Sequence, residues 1–554
     1  MLARMAAVRK SRWVAVTCRL GRGRRSWECI MKSSCLHVLV FAAAAAGLIT
    51  STSAFAQSTL RYASSIEPPV LDPVVNMLGV VQEHGYLIYD QLFAYGCDGT
   101  PKPQMIDKYS VKTDDKGAVW TMSLRSGLKW HDGSPVTPKD VIASITRWSK
   151  TDLVGKKLAS MGMQFAEVDA KTFTISMPVE SPLLLQGLAK STSPALFIMR
   201  ASDASRAPTE PVTEFVGSGP FKFVPGEYAK GHKAIYEKNA EYVPRDAPAD
   251  CLAGGKVAKV DRLEWLVMPD YSTAISALLG GEIDMYETPP LDLLPAIEAD
   301  PNLKVHGINK LGKIGMLRMN AKSAMLAKPE ARLALIKAFN QADAMAVVAG
   351  DQKYWRECYS YFACGGTNEY KESSKDKMAF EPAEAKRQLE AAGYKGEPIR
   401  MLVVGDDEVL RKIGTYAAEA LRSAGLNVDM QVMDFAALLA KRRDTAAWEI
   451  FTTWNFGVEL NHPFVSLALA DGCSDGGYPG AACTEELNKV KDVWAREADP
   501  VKGAVLIKEM GRLADTVHVP YVSLGAFDQP IAYHNSLSGI LETPLPVFWN
   551  IEKK

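Results

Sequence analysis

The sequence predicts a mixed α/β protein built from two or three domains. Residues 120–148, WTMSLRSGLKWHDGSPVTPKDVIASITRW, place strand patterns and a helix pattern in direct succession. The second observation is length, because the 554-residue chain exceeds the size that a single hydrophobic core usually serves. No low-complexity linker or internal repeat divides the chain.

The first half of this segment is predicted to form two strands. Apolar and polar residues alternate from Trp120 to Arg125, which is the period-2 pattern of a half-buried strand. Ser126-Gly127 then turns the chain into a second short strand over Leu128 to Trp130. His131-Asp132-Gly133 turns it once more, which explains the histidine and the aspartate without acid–base chemistry.

The second half is predicted to form a helix. Thr137 is the expected N-cap, with Pro138 at the first helical position and Asp140 at the third. One face of this helix is apolar and contains Val141, Ile142, Ile145 and Trp148. The three tryptophans of the segment are expected in the core, not in contact with a ligand.

The N-terminus is predicted to be a secretory signal peptide. Met31-Lys32 opens a short charged region, and Leu36 to Ile49 is apolar except for one histidine. Ala54-Phe55-Ala56 then supplies a cleavage pattern before Gln57, and the apolar run is too short to span a bilayer comfortably. No cysteine lies at the cleavage point, so a free periplasmic protein is expected, not a lipid-anchored one.

Residues 1–30 allow two interpretations. They carry eight basic residues and one acid, and Arg24-Arg25 suggests a twin-arginine export signal. The alternative is that translation starts at Met31 instead of Met1. We favour Met31, because Trp27-Glu28 fits the twin-arginine consensus poorly.

Removal of residues 1–56 leaves 55 basic and 63 acidic residues, a net charge near −8. A moderately acidic protein has no electrostatic footprint for nucleic acid or anionic lipid.

Six cysteines remain after this removal, and an even number in an exported chain indicates disulfides. Local bridges Cys358–Cys364 and Cys473–Cys483 are the simplest pairs, which leaves Cys97 with Cys251. A metal site is disfavoured, because no C-x-x-C exists and the histidines are scattered.

Residues 120–148 closely resemble the signature segment of the family 5 extracellular solute-binding proteins, the peptide- and nickel-type receptors of ABC importers. Similar family motifs follow in order over residues 58–550: Pro68–Pro73 (PPVLDP), Tyr86–Tyr95 (YLIYDQLFAY), Gly217–Phe221 (GSGPF), Tyr271–Asp284 (YSTAISALLGGEID), Arg318–Asn320 with Pro329, Arg332 and Ala338, Glu384–Tyr394 (EAKRQLEAAGY) and Leu421–Val428.

The resemblance implies a bilobed, three-domain α/β fold of the class II periplasmic-binding-protein type, with two ligand lobes joined by a hinge. Residues 57–103, 216–308 and 520–554 are expected to form domain I, the first lobe. Residues 104–215 are expected to form an accessory domain II beside it. Residues 309–519 are expected to form domain III, the second lobe.

The function implied is that of a periplasmic receptor, monomeric and without a cofactor. It would capture a peptide, peptide-like or small organic solute by hinged closure and deliver it to an inner-membrane ABC permease and ATPase. Alternatives are a non-peptide ligand (an opine, amine, oligosaccharide or metal chelate) or a chemosensory adaptor. An enzyme is not expected, because G-x-S-x-G, H-E-x-x-H, Walker A and strand–helix G-x-G-x-x-G motifs are absent.

The resemblance also identifies candidate ligand-binding residues. In peptide-binding members an aspartate three residues after a tryptophan grips the peptide α-ammonium. Here the tryptophan is Trp454, next to Asn455, but the aspartate position is Gly457, so Glu459 is the nearest substitute. The arginine that dipeptide receptors use for the α-carboxylate is also missing near Val404. A dipeptide zwitterion is therefore disfavoured, because unpaired buried charges are costly.

Further candidates surround this motif. Trp454 is expected to line the cleft and stack on a ligand. Asp406, in the acidic run 406–408, either receives a cationic group or lies in a solvated loop. Arg318 and Asn320 are expected on a strand edge near the hinge. Trp355, beside Tyr354, either overhangs the site or covers the Cys358–Cys364 bridge.

Overall fold

The structure is a computed structural model that describes residues 57–554, except 374, 377, 475 and 476. The predicted signal peptide, its cleavage after Ala56 and the choice between Met1 and Met31 lie outside the described residues. Within the described ranges, we find no helix that combines the length and apolarity needed to cross a membrane.

Strands occur along the whole described chain. In chain order they are β1 (Thr59–Ser64), β2 (Phe93–Tyr95), β3 (Pro101–Pro103), β4 (Ile106–Asp114), β5 (Gly117–Leu124), β6 (Gln164–Glu167), β7 (Thr172–Met177), β8 (Phe221–Phe223), β9 (Lys233–Lys238), β10 (Arg262–Val267), β11 (Met285–Tyr286), β12 (Leu303–His306), β13 (Lys313–Met319), β14 (Trp355–Arg356), β15 (Ile399–Val404), β16 (Val428–Met433), β17 (Ile450–Phe456), β18 (Tyr521–Phe527), β19 (Ile531–His534), β20 (Leu537–Ser538) and β21 (Glu552–Lys553).

Helices alternate with these strands. In chain order they are α1 (Gly79–Ile88), α2 (Pro138–Trp148), α3 (Leu153–Ser160), α4 (Leu183–Leu188), α5 (Ala201–Ala204), α6 (Tyr271–Leu279), α7 (Leu294–Glu298), α8 (Pro329–Ile336), α9 (Gln341–Ala349), α10 (Pro382–Ala392), α11 (Glu408–Ser423), α12 (Phe435–Lys441), α13 (Gly457–Leu460), α14 (Glu485–Trp494) and α15 (Pro500–Leu513).

The strands form two large mixed sheets and a smaller antiparallel one. The seven-stranded sheet has the order β12-β19-β11-β1-β10-β9-β8, and the six-stranded sheet has the order β14-β18-β13-β17-β15-β16. The smaller sheet has the order β4-β5-β7-β6. Strand β1 is parallel to both β10 and β11, and β15 is parallel to both β16 and β17. The α/β class predicted from the sequence is confirmed.

The sheets place one segment differently from the sequence expectation. Strand β18 pairs with β13 and β14 in the six-stranded sheet, whereas the sequence placed residues 520–554 in the first lobe. The chain crosses from the seven-stranded to the six-stranded sheet at residues 307–312 and returns at residues 528–530. The return therefore lies after β18, because Arg318 of β13 pairs with Tyr521.

The segment that opened the sequence analysis forms one predicted strand and the predicted helix. Strand β5 buries Trp120, and helix α2 begins with the capping box of Thr137 and Asp140. The second strand predicted over Leu128 to Trp130 is wrong, since only an isolated bridge joins Lys129 to Pro135. Trp130 N–H donates to Ser134 O and Val136 N–H donates to Leu128 O, while Pro135 between them has no N–H to extend the ladder.

A buried ion pair joins helix α2 to the segment after β1. The Arg147 guanidinium donates to Asp72 Oδ2 at 2.8 Å, and the exposed fractions of the two side chains are 1% and 0%. The Asp72 carboxylate also accepts from the backbone N–H groups of Val74 and Val212. Asp72 of the PPVLDP motif is therefore a structural anchor between three segments.

Three disulfides join the pairs that the sequence predicted. The S–S distance is 2.07 Å for Cys97–Cys251, 2.11 Å for Cys358–Cys364 and 2.19 Å for Cys473–Cys483. Cys97–Cys251 spans 154 residues, and the others span 6 and 10. The long bridge connects the segment between β2 and β3 to the segment before β10.

Candidate functional site

A cavity of about 550 Å³ lies beside the crossing segment 307–312. Its walls come from distant parts of the chain, including the Cys97–Cys251 bridge, Asn309, Val458 and Trp494. Small-molecule sites typically occupy about 300–1,000 Å³. The cavity is therefore large enough to enclose a small organic solute.

His462 contributes a polar group to this cavity. Its Nδ1 accepts a hydrogen bond from Phe464 N–H, and burial lowers the pKa of the imidazole to about 3. The ring is therefore neutral with its proton on Nε2. That buried N–H has no acceptor among the described residues.

A smaller cavity continues from the larger one, because both are lined by Ile308, Asn309 and Pro544. It reaches Glu287, which follows β11 of the seven-stranded sheet, and Lys313, which begins β13 of the six-stranded sheet. The two cavities are continuous, and strand residues of both large sheets line the smaller one, so we call the whole space the intersheet cleft.

Lys313 carries an ammonium group in this cleft whose contacts in the described chain are with aromatic rings. Its Nζ lies 4.0 Å from the centre of the Trp454 ring and 5.5 Å from that of Phe456. Among the residues the structure describes, no acceptor or ion-pair partner contacts Nζ. Burial lowers the pKa of Lys313 to about 8, although the charges of Asp407 and Glu287 oppose this shift.

Glu287, on the other side of the smaller cavity, pairs with a second carboxyl group, that of Glu83, which lines neither cavity in the described chain. Glu83, on α1, is fully buried, and its Oε2 accepts a hydrogen bond from the Tyr62 hydroxyl at 2.9 Å. Its Oε1 has no donor in the described part of the chain, and it faces the carboxyl group of Glu287. Burial raises the pKa of both acids, and their mutual repulsion adds to the rise for Glu83. A proton shared by the pair satisfies both groups.

Gly457 has no room for a side chain. Its N–H donates to Gly312 O at 2.8 Å, and an added Cβ would lie 2.5 Å from Leu311 O. The turn from β17 into α13 is thus pressed against the crossing segment. Glycine at this position is required by the close backbone approach.

The neighbours of Gly457 pair with each other. Asn455 Nδ2 donates to Glu459 Oε2 at 3.3 Å, and the buried Asn455 Oδ1 accepts nothing from the described residues. Burial raises the pKa of Glu459, and the Asn455 hydrogen bond opposes that rise. In the described chain, neither Asn455 nor Glu459 lines the two cavities, whereas Val458 lines the larger one.

We expect Gly457→Asp, which restores the aspartate of the peptide-binding motif, to destabilise the protein by about 3 kcal/mol because of the contact with Leu311 O. It should also fail to create dipeptide binding. Guanidinium unfolding and calorimetric titration measure the two effects. Gly226→Asp is the matched control, since nothing lies within 4 Å of a Cβ there. Wild-type stability of Gly457→Asp would contradict the account of this turn.

Two further candidates are buried in the six-stranded sheet. The Arg318 guanidinium donates to Leu467 O at 2.9 Å and lies 4.6 Å from the centre of the Tyr478 ring. The Asn320 amide donates to the carbonyl groups of Thr445 and Trp448. Neither Arg318 nor Asn320 is among the described residues that line the two cavities. Their hydrogen bonds stabilise the loops that flank the sheet.

The other two candidates lie at the surface. Trp355 is in the edge strand β14, and its Nε1–H donates to Gly350 O at 3.2 Å. Asp406 is exposed and accepts from Phe435 N–H, while Asp407 caps α11 by accepting from Leu410 N–H. Neither Trp355 nor Asp406 is among the described residues that line the two cavities.

Sequence reasoning missed Lys313, Glu83 and Glu287. Lys313 lies five residues before Arg318, the first residue of a recognised motif. Nothing in the sequence distinguishes Lys313 from other lysines. Glu83 and Glu287 are separated by about 200 residues and interact only in the folded chain. No local signal predicts such a meeting.

Comparison with known proteins identifies the family. The family model for bacterial extracellular solute-binding proteins, family 5, matches residues 100–477. The probable peptide ABC transporter periplasmic-binding protein y4tO of Sinorhizobium fredii is 35% identical over 512 residues, which are 91% of this chain and 94% of that protein. The dipeptide-binding protein DppE of Bacillus subtilis is 24% identical over 410 residues, 68% of this chain and 70% of that one.

Solved structures agree in fold. The binding protein AgaA of A. tumefaciens R10, in complex with agropinic acid, matches with a TM-score of 0.73 and 22% identity over 90% of this chain and 99% of that one. The Helicobacter pylori protein DppA, in complex with the peptide STSA, matches with a TM-score of 0.74 and 19% identity over 90% and 98%. This chain therefore belongs to the family 5 bacterial extracellular solute-binding proteins.

Proposed function

We propose that this protein is the periplasmic substrate-binding component of an ABC importer and that it binds a peptide-like or other small organic solute in the intersheet cleft. The observation that carries the proposal is the cleft itself, a cavity of about 550 Å³ continued by a smaller one that residues of both large sheets line. The relative y4tO, matched over nearly its whole length, is named as a peptide transporter component.

Closure of the two lobes would couple binding to transport. The chain crosses between the large sheets at residues 307–312 and 528–530, and these segments are the proposed hinge. Glu298, before β12, accepts hydrogen bonds from Lys353 and Tyr354 on the other side of the crossing. A solute that touches both sheets favours the closed arrangement, which the permease would then recognise.

The three-domain division, with the boundary of the second lobe moved to include β18, is part of this proposal. So are export by the N-terminal signal, a monomeric state and delivery to an inner-membrane permease and ATPase. We propose no catalytic role. An ordinary dipeptide held by an aspartate at position 457 is disfavoured, because the backbone leaves no space for that side chain.

Thermal-shift screening of purified protein tests the proposal. The probes are agropinic acid, Met-Leu, the peptide STSA and a casein hydrolysate. We expect a saturable rise in melting temperature with at least one probe, and recovery of that compound unchanged. Turnover of the compound would contradict a receptor.

Trp454→Ala is expected to weaken binding of that probe on the order of 10-fold, because the ring supports the Lys313 ammonium. The change is measured as a dissociation constant by calorimetric titration. Tyr271→Ala is the control: in the described chain neither Trp454 nor the exposed Tyr271 of α6 lines a cavity, but of these two rings it is that of Trp454 over which the Lys313 ammonium lies. Equal effects of the two substitutions would contradict a role for Trp454.

A further inference from the structure

We propose that Lys313 binds a carboxylate group of the solute and that Glu287, on the other side of the smaller cavity, receives its cationic group. The solute is then a zwitterion held in one direction, with its acid at the six-stranded sheet and its amine at the seven-stranded sheet. This inference rests on the proposed function, because it specifies the chemistry of the same cleft.

The first argument is the state of the Lys313 ammonium. Trp454 and Phe456 present aromatic rings to it, but a ring face accepts no ordinary hydrogen bond. An ammonium group has three donors, and none of them is used by the described residues. Burying such a cation without an acceptor is costly, whereas a carboxylate supplies both opposite charge and strong acceptors.

The second argument is that the acids near Lys313 are already engaged or out of reach. Asp407 accepts from Leu410 N–H at the start of α11, so its carboxylate belongs to that helix. The charge of Glu287 raises the pKa of Lys313, but in the described chain no ion pair within 4.0 Å joins the two side chains. Both Glu287 and Lys313 line the smaller cavity, whose volume is about 50 Å³, so the space between them admits a few solute atoms and the rest of the solute extends into the larger cavity.

The third argument concerns the opposite wall. Glu287 lines the smaller cavity and interacts with the buried Glu83, whose Oε2 accepts from Tyr62. The pair keeps one negative charge when it shares a proton, so a ligand ammonium beside Glu287 supplies the positive charge and the donors that this carboxyl group lacks. The cleft therefore has a cation on one wall and an acid on the other. An aspartate at position 457, after β17, would place a negative charge on the side of the six-stranded sheet. Here that side carries the positive charge of Lys313.

Calorimetric titration with matched ligands tests the proposal. The probes are Met-Leu, agropinic acid and STSA, each as the free acid and with its carboxyl groups amidated, plus the N-acetylated peptides. We expect amidation to weaken binding of a recognised probe to the wild type by on the order of 10- to 100-fold. Lys313→Met should bind the free acid more weakly than the wild type does by a similar factor, and it should bind the amide as the wild type does. N-acetylation of the probe should weaken binding to the wild type. Glu287→Gln should bind the free amine more weakly and should bind the N-acetylated probe as the wild type does.

Controls separate folding from recognition. Lys337→Met removes a half-buried lysine that is already paired with Glu381, and it should bind as the wild type does. If Lys313→Met does not fold, the amidated probes on the wild type still decide the outcome. Equal binding of acid and amide, or unchanged binding by a folded Lys313→Met, would overturn the inference while leaving the receptor intact. If no probe or hydrolysate component binds the wild type, the proposed function fails and the inference falls with it.

The pH dependence provides an independent readout. Lys313 loses its proton as the pH rises through about 8, since burial outweighs the attraction of Asp407 and Glu287. Affinity for the free acid should fall on the order of 10-fold between pH 7 and 9.5. The arginine of Lys313→Arg stays charged over this range, so the affinity of this variant should not fall with the titration of residue 313. Titration of the probe's own amine affects the wild type and the variant equally. Identical pH profiles would contradict the assignment of Lys313.

Discussion

A protein in which Cys97 and Cys251 are both replaced by serine is expected to lose about 5 kcal/mol of unfolding free energy. The bridge closes a loop with a sequence separation of 154, so its removal restores a large conformational entropy to the unfolded chain. Both cysteines also line the larger cavity. We therefore expect weaker solute binding in the same variant.

Chemical unfolding followed by circular dichroism and tryptophan fluorescence measures the first effect, and calorimetric titration measures the second. The control replaces Cys473 and Cys483, which are exposed and span only 10 residues, and should cost about 3 kcal/mol. The control should leave binding unchanged, because among described residues neither cysteine lines a cavity. Equal losses in the two double variants would contradict the loop-length argument.

Arg147→Met is expected to destabilise the protein by about 4 kcal/mol, because it leaves the Asp72 carboxylate buried without a counter-charge. The pair is formed at 2.8 Å and both side chains are almost fully buried. Two backbone N–H groups still donate to Asp72, but they do not replace the lost cation. Guanidinium unfolding of wild type and variant measures the difference.

Two further variants make this prediction specific. Arg206→Met breaks an exposed pair with Glu210 and should cost less than about 1 kcal/mol. Asp72→Asn combined with Arg147→Met removes both charges and should be less destabilised than the sum of the single changes. Additive losses would show that the two charges do not stabilise each other.

Local sequence rules predicted local structure well. The alternation around Trp120 became strand β5, and the Thr137–Asp140 pattern became the capping box of α2. Cysteine spacing predicted the two local disulfides, and elimination predicted Cys97–Cys251. The predicted strand over Leu128 to Trp130 was wrong, because a strand needs a partner ladder and this segment forms a single bridge.

The candidate site was predicted less completely. Gly457 was identified as the departure from the peptide-binding pattern, but its cause, the approach of Leu311 O, is a contact between distant segments. Arg318 and Asn320 were placed near a hinge, whereas their hydrogen bonds hold loops beside the sheet. Asp406 lies at the surface, where it accepts from Phe435 N–H.

The sequence by itself determined the α/β class, the family and the two local disulfide pairs, because motifs, periodicity and spacing are properties of neighbouring residues. Only the tertiary structure decided that β18 pairs with β13 and that Lys313 faces Glu287 across a cleft. The ammonium, the acid pair and the aromatic ring over which the ammonium lies come from separate strands and helices. Their charge pattern exists only after folding brings them together, since burial and distance set the electrostatic interactions among them.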